Sequence, residues 1–156
     1  MKVLMVCLGN ICRSPLAEGI LKHKAKQSGL NWQVDSAGTG DWHVGELPDR
    51  RSIAVAKKYG IDLTDQRARH FKQRDLDDFD LILVMDKENY RDVSRFAKNE
   101  KQREKVQFIM NFARPLSNDI VPDPYYDNRF ELVYQILDEA CDAVIKAHNL
   151  MDNHKQ

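Results

Sequence analysis

Four short apolar runs, separated by longer amphipathic stretches, outline the chain. Val3-Leu4-Met5-Val6 is continuous and apolar, so Lys2 to Val6 reads as a buried strand. Leu16, Ala17, Ile20, Leu21 and Ala25 recur at helical spacing, with Gly29 as a stop. Trp32 to Val34 predicts a short strand, ended by the turn-rich Ser36-Ala37-Gly38-Thr39-Gly40. Arg51 to Tyr59 reads as a helix stopped by Gly60. Leu81 to Met85 is the second strong apolar run and predicts a central strand. Lys87 to Phe96 suggests a helix, and Val106 to Met110 a fourth strand. Phe130, Val133, Tyr134, Leu137, Cys141, Val144 and Ile145 form an apolar stripe on a long final helix. The run Lys98 to Lys105 is mixed in sign and reads as a solvated helix or loop.

Strands alternating with helices predict an α/β fold: an open four-stranded parallel sheet with helices on both faces, flavodoxin-like or Rossmann-like in its three layers. In such sheets ligands bind outside the carboxyl ends of the strands, so the residues after Val6 are the first candidates.

Length and charge narrow the picture. The 156 residues fit one domain spanning 1–156, with no repeat and no Gly/Ser/Pro linker to divide it. Lysine plus arginine balance aspartate plus glutamate at 24 each, which argues against a dedicated nucleic-acid binder. Neutral charge permits weak self-association and equally a monomer. No apolar run nears the roughly 20 residues that span a bilayer. The opening segment is too short for a signal-peptide core. Three cysteines, two of them five positions apart, are not a secreted disulfide framework. A cytoplasmic protein with no membrane partner is the expectation.

The chemistry concentrates after the first strand. Cys7-Leu8-Gly9-Asn10-Ile11-Cys12-Arg13 lies between strand and helix, with Pro15 near the helix start. Free backbone N–H groups and the positive helix end there make an anion site. Gly9 allows close backbone approach, and Asn10 tolerates left-handed geometry while its amide braces the loop. A nucleotide-binding loop would end in Gly-Lys-Ser/Thr, whereas this one ends in Cys-Arg-Ser. It places a thiol where phosphorus would sit and adds an arginine fork. The helix end favours the thiolate of Cys7. Arg13 can hold two phosphoryl oxygens at once. The Ser14 hydroxyl could donate to the sulfur or simply cap the helix. A lone cytosolic cysteine is more often just a small buried residue. Its place between strand, arginine and helix favours the nucleophile.

Val6-Cys7-Leu8-Gly9-Asn10-Ile11-Cys12-Arg13-Ser14-Pro15 resembles the signature loop of the low-molecular-weight protein-tyrosine phosphatases. Asp35-Ser36-Ala37-Gly38-Thr39, the stretch Leu81 to Asp86, and Asp123-Pro124-Tyr125-Tyr126 match that family in its order. The resemblance implies hydrolysis of phosphotyrosine in proteins through a phosphocysteine on Cys7, and inhibition by phosphate-like oxyanions. It implies Arg13 as the phosphoryl ligand and Leu8, Gly9, Asn10, Ile11, Cys12 and Ser14 as loop support.

A tyrosyl leaving group needs a proton, and 24 acidic residues are on offer. Asp123 stands out between Pro122 and Pro124, beside two tyrosines, although aspartate before proline is also a common turn-former. The resemblance makes it the general acid, then the base that activates water. Trp42, Tyr125 and Tyr126 are candidate pocket walls for a flat aryl ring. Partial core burial is the plainer expectation for Trp42. The resemblance also implies a reversible disulfide between Cys12 and Cys7. Cys141 lies on the core stripe. No cofactor or metal is called for: the cysteines lack a second ligand pair, and His23, His43, His70, His148 and His154 are scattered. Two rivals stand beside this reading. An arsenate reductase of the same fold would need later cysteines to relay electrons. A non-catalytic phosphotyrosine-binding module would need neither thiolate nor acid.

Overall fold

The four apolar runs form one parallel sheet in a computed structural model, which describes residues 1–155, with side chains through residue 150. The elements run β1 (Lys2–Cys7), α1 (Arg13–Gln27), β2 (Gln33–Gly38), α2 (Arg50–Lys58), α3 (Asp75–Asp78), β3 (Leu81–Val84), α4 (Lys87–Ser94), α5 (Glu100–Lys105), β4 (Val106–Phe108), α6 (Met110–Ala113) and α7 (Phe130–Lys155). The sheet order is β2-β1-β3-β4, all parallel. The predicted open, helix-covered sheet is therefore correct.

Side chains of β1 alternate between two cores. Val3, Met5 and Cys7 join α1, α7 and the underside of α2 in one apolar cluster. Leu4 and Val6 join Phe71, Phe79, Ile82, Val84 and Phe108 in the other. Burial on both faces explains why β1 and β3 read as unbroken apolar runs.

Three sequence expectations need correction. The segment Ser36-Ala37-Gly38 is not a turn but the second half of β2, paired Met5↔Ser36, Val6↔Ala37 and Cys7↔Gly38. Small residues are required there: a Cβ on Gly38 would fall 2.8 Å from the Leu8 carbonyl oxygen. Tertiary crowding, not turn chemistry, accounts for the glycine. Pro15 is the third residue of α1 rather than the first; its N–H would be orphaned at either position. Ser14 does not cap α1, because Cys12 occupies the N-cap position and Ser14 lies inside the helix. The short α3 and α6 carry no periodic signal of their own. The side chain of His154 lies outside the described residues.

Candidate active site

Strand β1 ends at Cys7 and α1 begins at Arg13, so residues 8–12 must turn tightly at the carboxyl edge of the sheet. Asn10 makes the turn with φ of 57°, in the left-handed region. Its side chain makes that conformation worthwhile. The amide nitrogen donates to Ser14 Oγ at 2.7 Å and to Ser36 Oγ at 2.9 Å. The amide oxygen accepts from the Arg69 backbone N–H at 3.0 Å, which fixes which end is oxygen. Ser14 Oγ thus accepts from Asn10 and has its own proton for Cys7 Sγ, 3.0 Å away, when that sulfur is a thiolate. Among the described residues, no acceptor takes the N–H groups of residues 8–13. Unpaired loop amides at a helix N-terminus are the chemistry of an oxyanion cradle.

Arg13 is 3% exposed. Its Nη1 donates to Asp86 Oδ2 at 2.8 Å and to the Val121 carbonyl at 2.9 Å. Burial works against the guanidinium charge, but Cys7, Asp86 and Asp123 outweigh it and raise its pKa. With Nη1 committed, Nη2 remains for the cleft and lies 3.9 Å from Asp123 Oδ2. Asp86 lies two residues past β3 and caps α4 through the Asn89 N–H. It clamps the arginine without itself lining the cleft.

Asp123 stands on the irregular segment between α6 and α7. Its Oδ1 accepts from the Tyr125 N–H at 3.0 Å, and its side chain is 41% exposed. Cys7, Leu8, Gly9, Ile11, Cys12, Arg13, Trp42, His43, Asp123, Tyr125 and Tyr126 enclose one cleft of about 290 Å³. That is near the lower end of small-molecule sites, roughly 300 Å³. The structure thus brings Cys7, Arg13 and Asp123 together. Asn10 and Ser14 sit behind the loop rather than in the cleft.

Trp42 is not a core residue: it is 69% exposed and folds over Gly40. Tyr125 and Tyr126 meet edge to face at 4.9 Å. Arg51 ties this rim to α2, its guanidinium 5.5 Å from the Tyr125 ring centre and hydrogen-bonded to Asn128 and Asp49. Asp49 in turn donates its backbone N–H to the Ile11 carbonyl at 2.8 Å. The thiol of Cys12, 5% exposed, is pushed well up in pKa by burial, with Asp49 and Cys7 adding to the effect. Cys141 is fully buried on the core face of α7. Among the described residues no cluster of His, Cys, Asp or Glu could hold a metal. No helix there is long and apolar enough to cross a membrane.

Sequence reasoning missed Asp86, Glu18, Ser36 and Arg69, and counted His43 only among the scattered histidines. His43 instead lines the cleft against Gly9, held through Nδ1 by Glu46 at 2.5 Å. Asp86 carried one usable signal, its position at the carboxyl end of a predicted central strand.

A thiol on an amide cradle, a buried arginine and an acid in one cleft define a cysteine-dependent phosphatase on an α/β fold. The comparisons agree. A family model, low molecular weight phosphotyrosine protein phosphatase, matches residues 2–155. The low molecular weight phosphotyrosine protein phosphatase of Schizosaccharomyces pombe is 44% identical over 128 residues, 80% of this chain and 81% of its own. That of Homo sapiens is 40% identical over 152 residues, 94% of this chain and 95% of its own. The crystal structure of YfkJ from Bacillus subtilis superposes with a TM-score of 0.90 at 35% identity, covering 100% of this chain and 97% of that one. The chain belongs to the low molecular weight phosphotyrosine protein phosphatase family.

Proposed function

We propose that the chain, acting as a single cytoplasmic domain over residues 1–156, hydrolyses phosphotyrosine in proteins and small aryl phosphates by way of a phosphocysteine. The Cys7 thiolate attacks phosphorus and the aryl–oxygen to phosphorus bond breaks, while Asp123 gives its proton to the leaving oxygen. Asp123, now a carboxylate, takes a proton from water as that water attacks the phosphocysteine. Inorganic phosphate and the thiolate leave. Arg13 Nη2 and the loop amides carry the equatorial oxygens through both steps. Ser14 donates to the sulfur when it becomes the leaving group. No cofactor enters this sequence.

One observation carries the reading. Cys7 and Asp123, 116 residues apart in sequence, line the same cleft, with Arg13 between them. Trp42, Tyr125 and Tyr126 supply aromatic walls suited to an aryl ester. An arsenate-reducing relay is disfavoured because Cys141 is sealed behind α1, its Sγ facing the Ala17 carbonyl at 3.8 Å. A pure binding module has no use for the acid.

The test is p-nitrophenyl phosphate hydrolysis by wild type, Cys7→Ser and Asp123→Asn. Wild type turns over, the serine variant loses at least about 10⁴-fold, in line with deletion of other enzymes' nucleophiles, and the asparagine variant is strongly impaired. Unchanged turnover in Cys7→Ser overturns the mechanism. Thiol-dependent arsenate reduction without aryl phosphate turnover would favour the reductase.

Cys12 serves as the partner that protects an oxidised Cys7. Peroxide converts the Cys7 thiolate to a sulfenic acid, and the Cys12 thiol displaces water to form a disulfide that reductant reopens. Equal recovery of wild type and Cys12→Ser after peroxide and reductant removes that role.

A further inference from the structure

Glu18 is a buried carboxylate that the chemistry above does not use. It lies one turn into α1, 3% exposed, and holds two hydrogen bonds. Ser36 Oγ donates to its Oε1 at 2.7 Å. Lys22 Nζ donates to its Oε2 at 2.6 Å. Lys22 is 45% exposed, so this cation sits at the protein surface while its partner does not.

The donor and acceptor roles along this path follow once Cys7 is a thiolate and Glu18 a carboxylate. Asn10 Oδ1 is claimed by the Arg69 N–H, so the Asn10 amide nitrogen gives one hydrogen to Ser14 and one to Ser36. Each hydroxyl therefore accepts from Asn10 and has its own proton to place elsewhere. Ser14 places it on Cys7, and Ser36 places it on Glu18. Ser36 can do so only while Glu18 Oε1 is an acceptor. Burial raises the pKa of Glu18, and the bonds from Lys22 and Ser36 oppose that shift without cancelling it. Asp35 on β2 adds repulsion, though it is itself paired with Arg69 at 3.1 Å. Asp65 faces Lys22 from the loop after α2.

We propose that the Lys22–Glu18 ion pair is a positioning device for the nucleophile, acting through Ser36, Asn10 and Ser14 to hold the Ser14 hydroxyl as a committed donor to Cys7 Sγ. Lys22 is the surface end of this relay and the point at which its charge can be removed from outside. Without Lys22, the buried carboxylate loses its cation and takes up a proton. A protonated Glu18 competes with Asn10 for Ser36 Oγ, and the Asn10 amide nitrogen loses one of its two acceptors. The step most exposed to that change is the one in which sulfur leaves phosphorus, because there the Ser14 proton stabilises the developing thiolate.

This inference rests on the phosphocysteine reading, and its test separates the two. Rapid-quench kinetics with p-nitrophenyl phosphate resolve aryl release, which reports phosphocysteine formation, from the later turnover, which reports its breakdown. A burst in wild type that is absent in Cys7→Ser supports the reading itself. Relative to wild type, Lys22→Met slows breakdown roughly 3- to 10-fold, the range expected for coupling through a packed network, with aryl release changed less. Lys22→Arg restores breakdown to within about twofold, since it keeps the charge. Glu18→Gln leaves Ser36 an acceptor but no charge to compensate, so adding Lys22→Met to it has no further effect. Melting temperatures of all variants accompany the rates. Equal breakdown in wild type and Lys22→Met overturns the proposal. So does a Lys22→Met effect that persists undiminished in the Glu18→Gln background, or one that slows both steps alike.

Discussion

Cys7 to Ser14 and Asp123 to Tyr126 face each other across one cleft, yet from Asn10 to Ser14 the first is sealed, while Asp123, Tyr125 and Tyr126 of the second are exposed. Asn10, Arg13 and Ser14 are 2%, 3% and 0% exposed, whereas the Asp123 side chain is 41% exposed and Tyr126 is 91% exposed. The sealed side is braced in three directions: by Ser36 and Arg69 through Asn10, by Asp86 through Arg13, and by Asp49 through Ile11. The open side is held by one local turn on Asp123 and by Arg51 beneath Tyr125. The difference follows from what each does in the proposed reaction. An oxyanion cradle works when its dipoles are fixed before charge develops. An acid that meets a leaving group of varied shape needs access more than rigidity, as does a wall that admits a protein side chain.

Damage on the sealed side should therefore cost most. Arg13→Lys keeps the charge but not the fork, and loses the paired contacts to Asp86 and the Val121 carbonyl. We expect kcat/KM to fall by about 10³-fold, the upper range for one oxyanion donor, as measured with p-nitrophenyl phosphate. A lysine variant within tenfold of wild type would show that a point charge suffices and that the fork is not needed.

Asp123→Asn probes the open side. We expect a loss of about 10²-fold with p-nitrophenyl phosphate, at the low end for general acid catalysis, and a larger loss with phenyl phosphate, whose leaving group needs the proton more. Equal losses for the two esters would remove Asp123 as the acid.

The bracing itself is read by substituting Asn10 twice. Asn10→Gly and Asn10→Ala both lose the amide, and kcat should fall about tenfold in each as Ser14 is released, in keeping with the cost of a misplaced catalytic group. Only alanine also pays for the left-handed backbone, about 1 kcal/mol in denaturant unfolding. Identical stabilities would mean that the loop relaxes out of that conformation.

Trp42→Ala should raise KM about threefold for p-nitrophenyl phosphate with kcat unchanged, the effect of losing one exposed aromatic contact worth roughly 0.5–1 kcal/mol. A change in kcat instead would place Trp42 with the rigid side.

The smallest effect belongs to Asp49, which caps α2 through the Arg51 N–H and whose carboxyl is held below its usual range, chiefly by the Arg51 side chain. A lowered folded pKa stabilises above the unfolded value and is lost as pH falls through the folded one. Asp49→Asn should cost about 0.5 kcal/mol at pH 7, since the cap survives and the charge does not. That difference should close as pH drops through the carboxylate range; a constant offset would make the loss one of packing.

The apolar runs at Val3–Val6 and Leu81–Met85 by themselves determined the parallel sheet, because strands buried on both faces have no polar positions to hide. Cys7, Arg13 and their place between strand and helix determined the phosphate loop, since backbone amides at a helix start bind anions whatever surrounds them. The chain direction also marked Asp123, through its Pro-Asp-Pro setting, but only as a candidate. Tertiary structure decided the rest. Ser36 and Gly38 looked like turn residues and proved to be strand residues, because their small size answers the loop packed on them and not their neighbours in sequence. Asp86, Arg69 and Glu18 drew no role from local pattern, since each acts on a partner between 18 and 73 positions away, and His43 drew none because only the fold sets it against Gly9. By sequence, Cys7 is the first residue after a strand. The nucleophile proposed there is braced only where β1, β2, α1 and the segment before α7 converge.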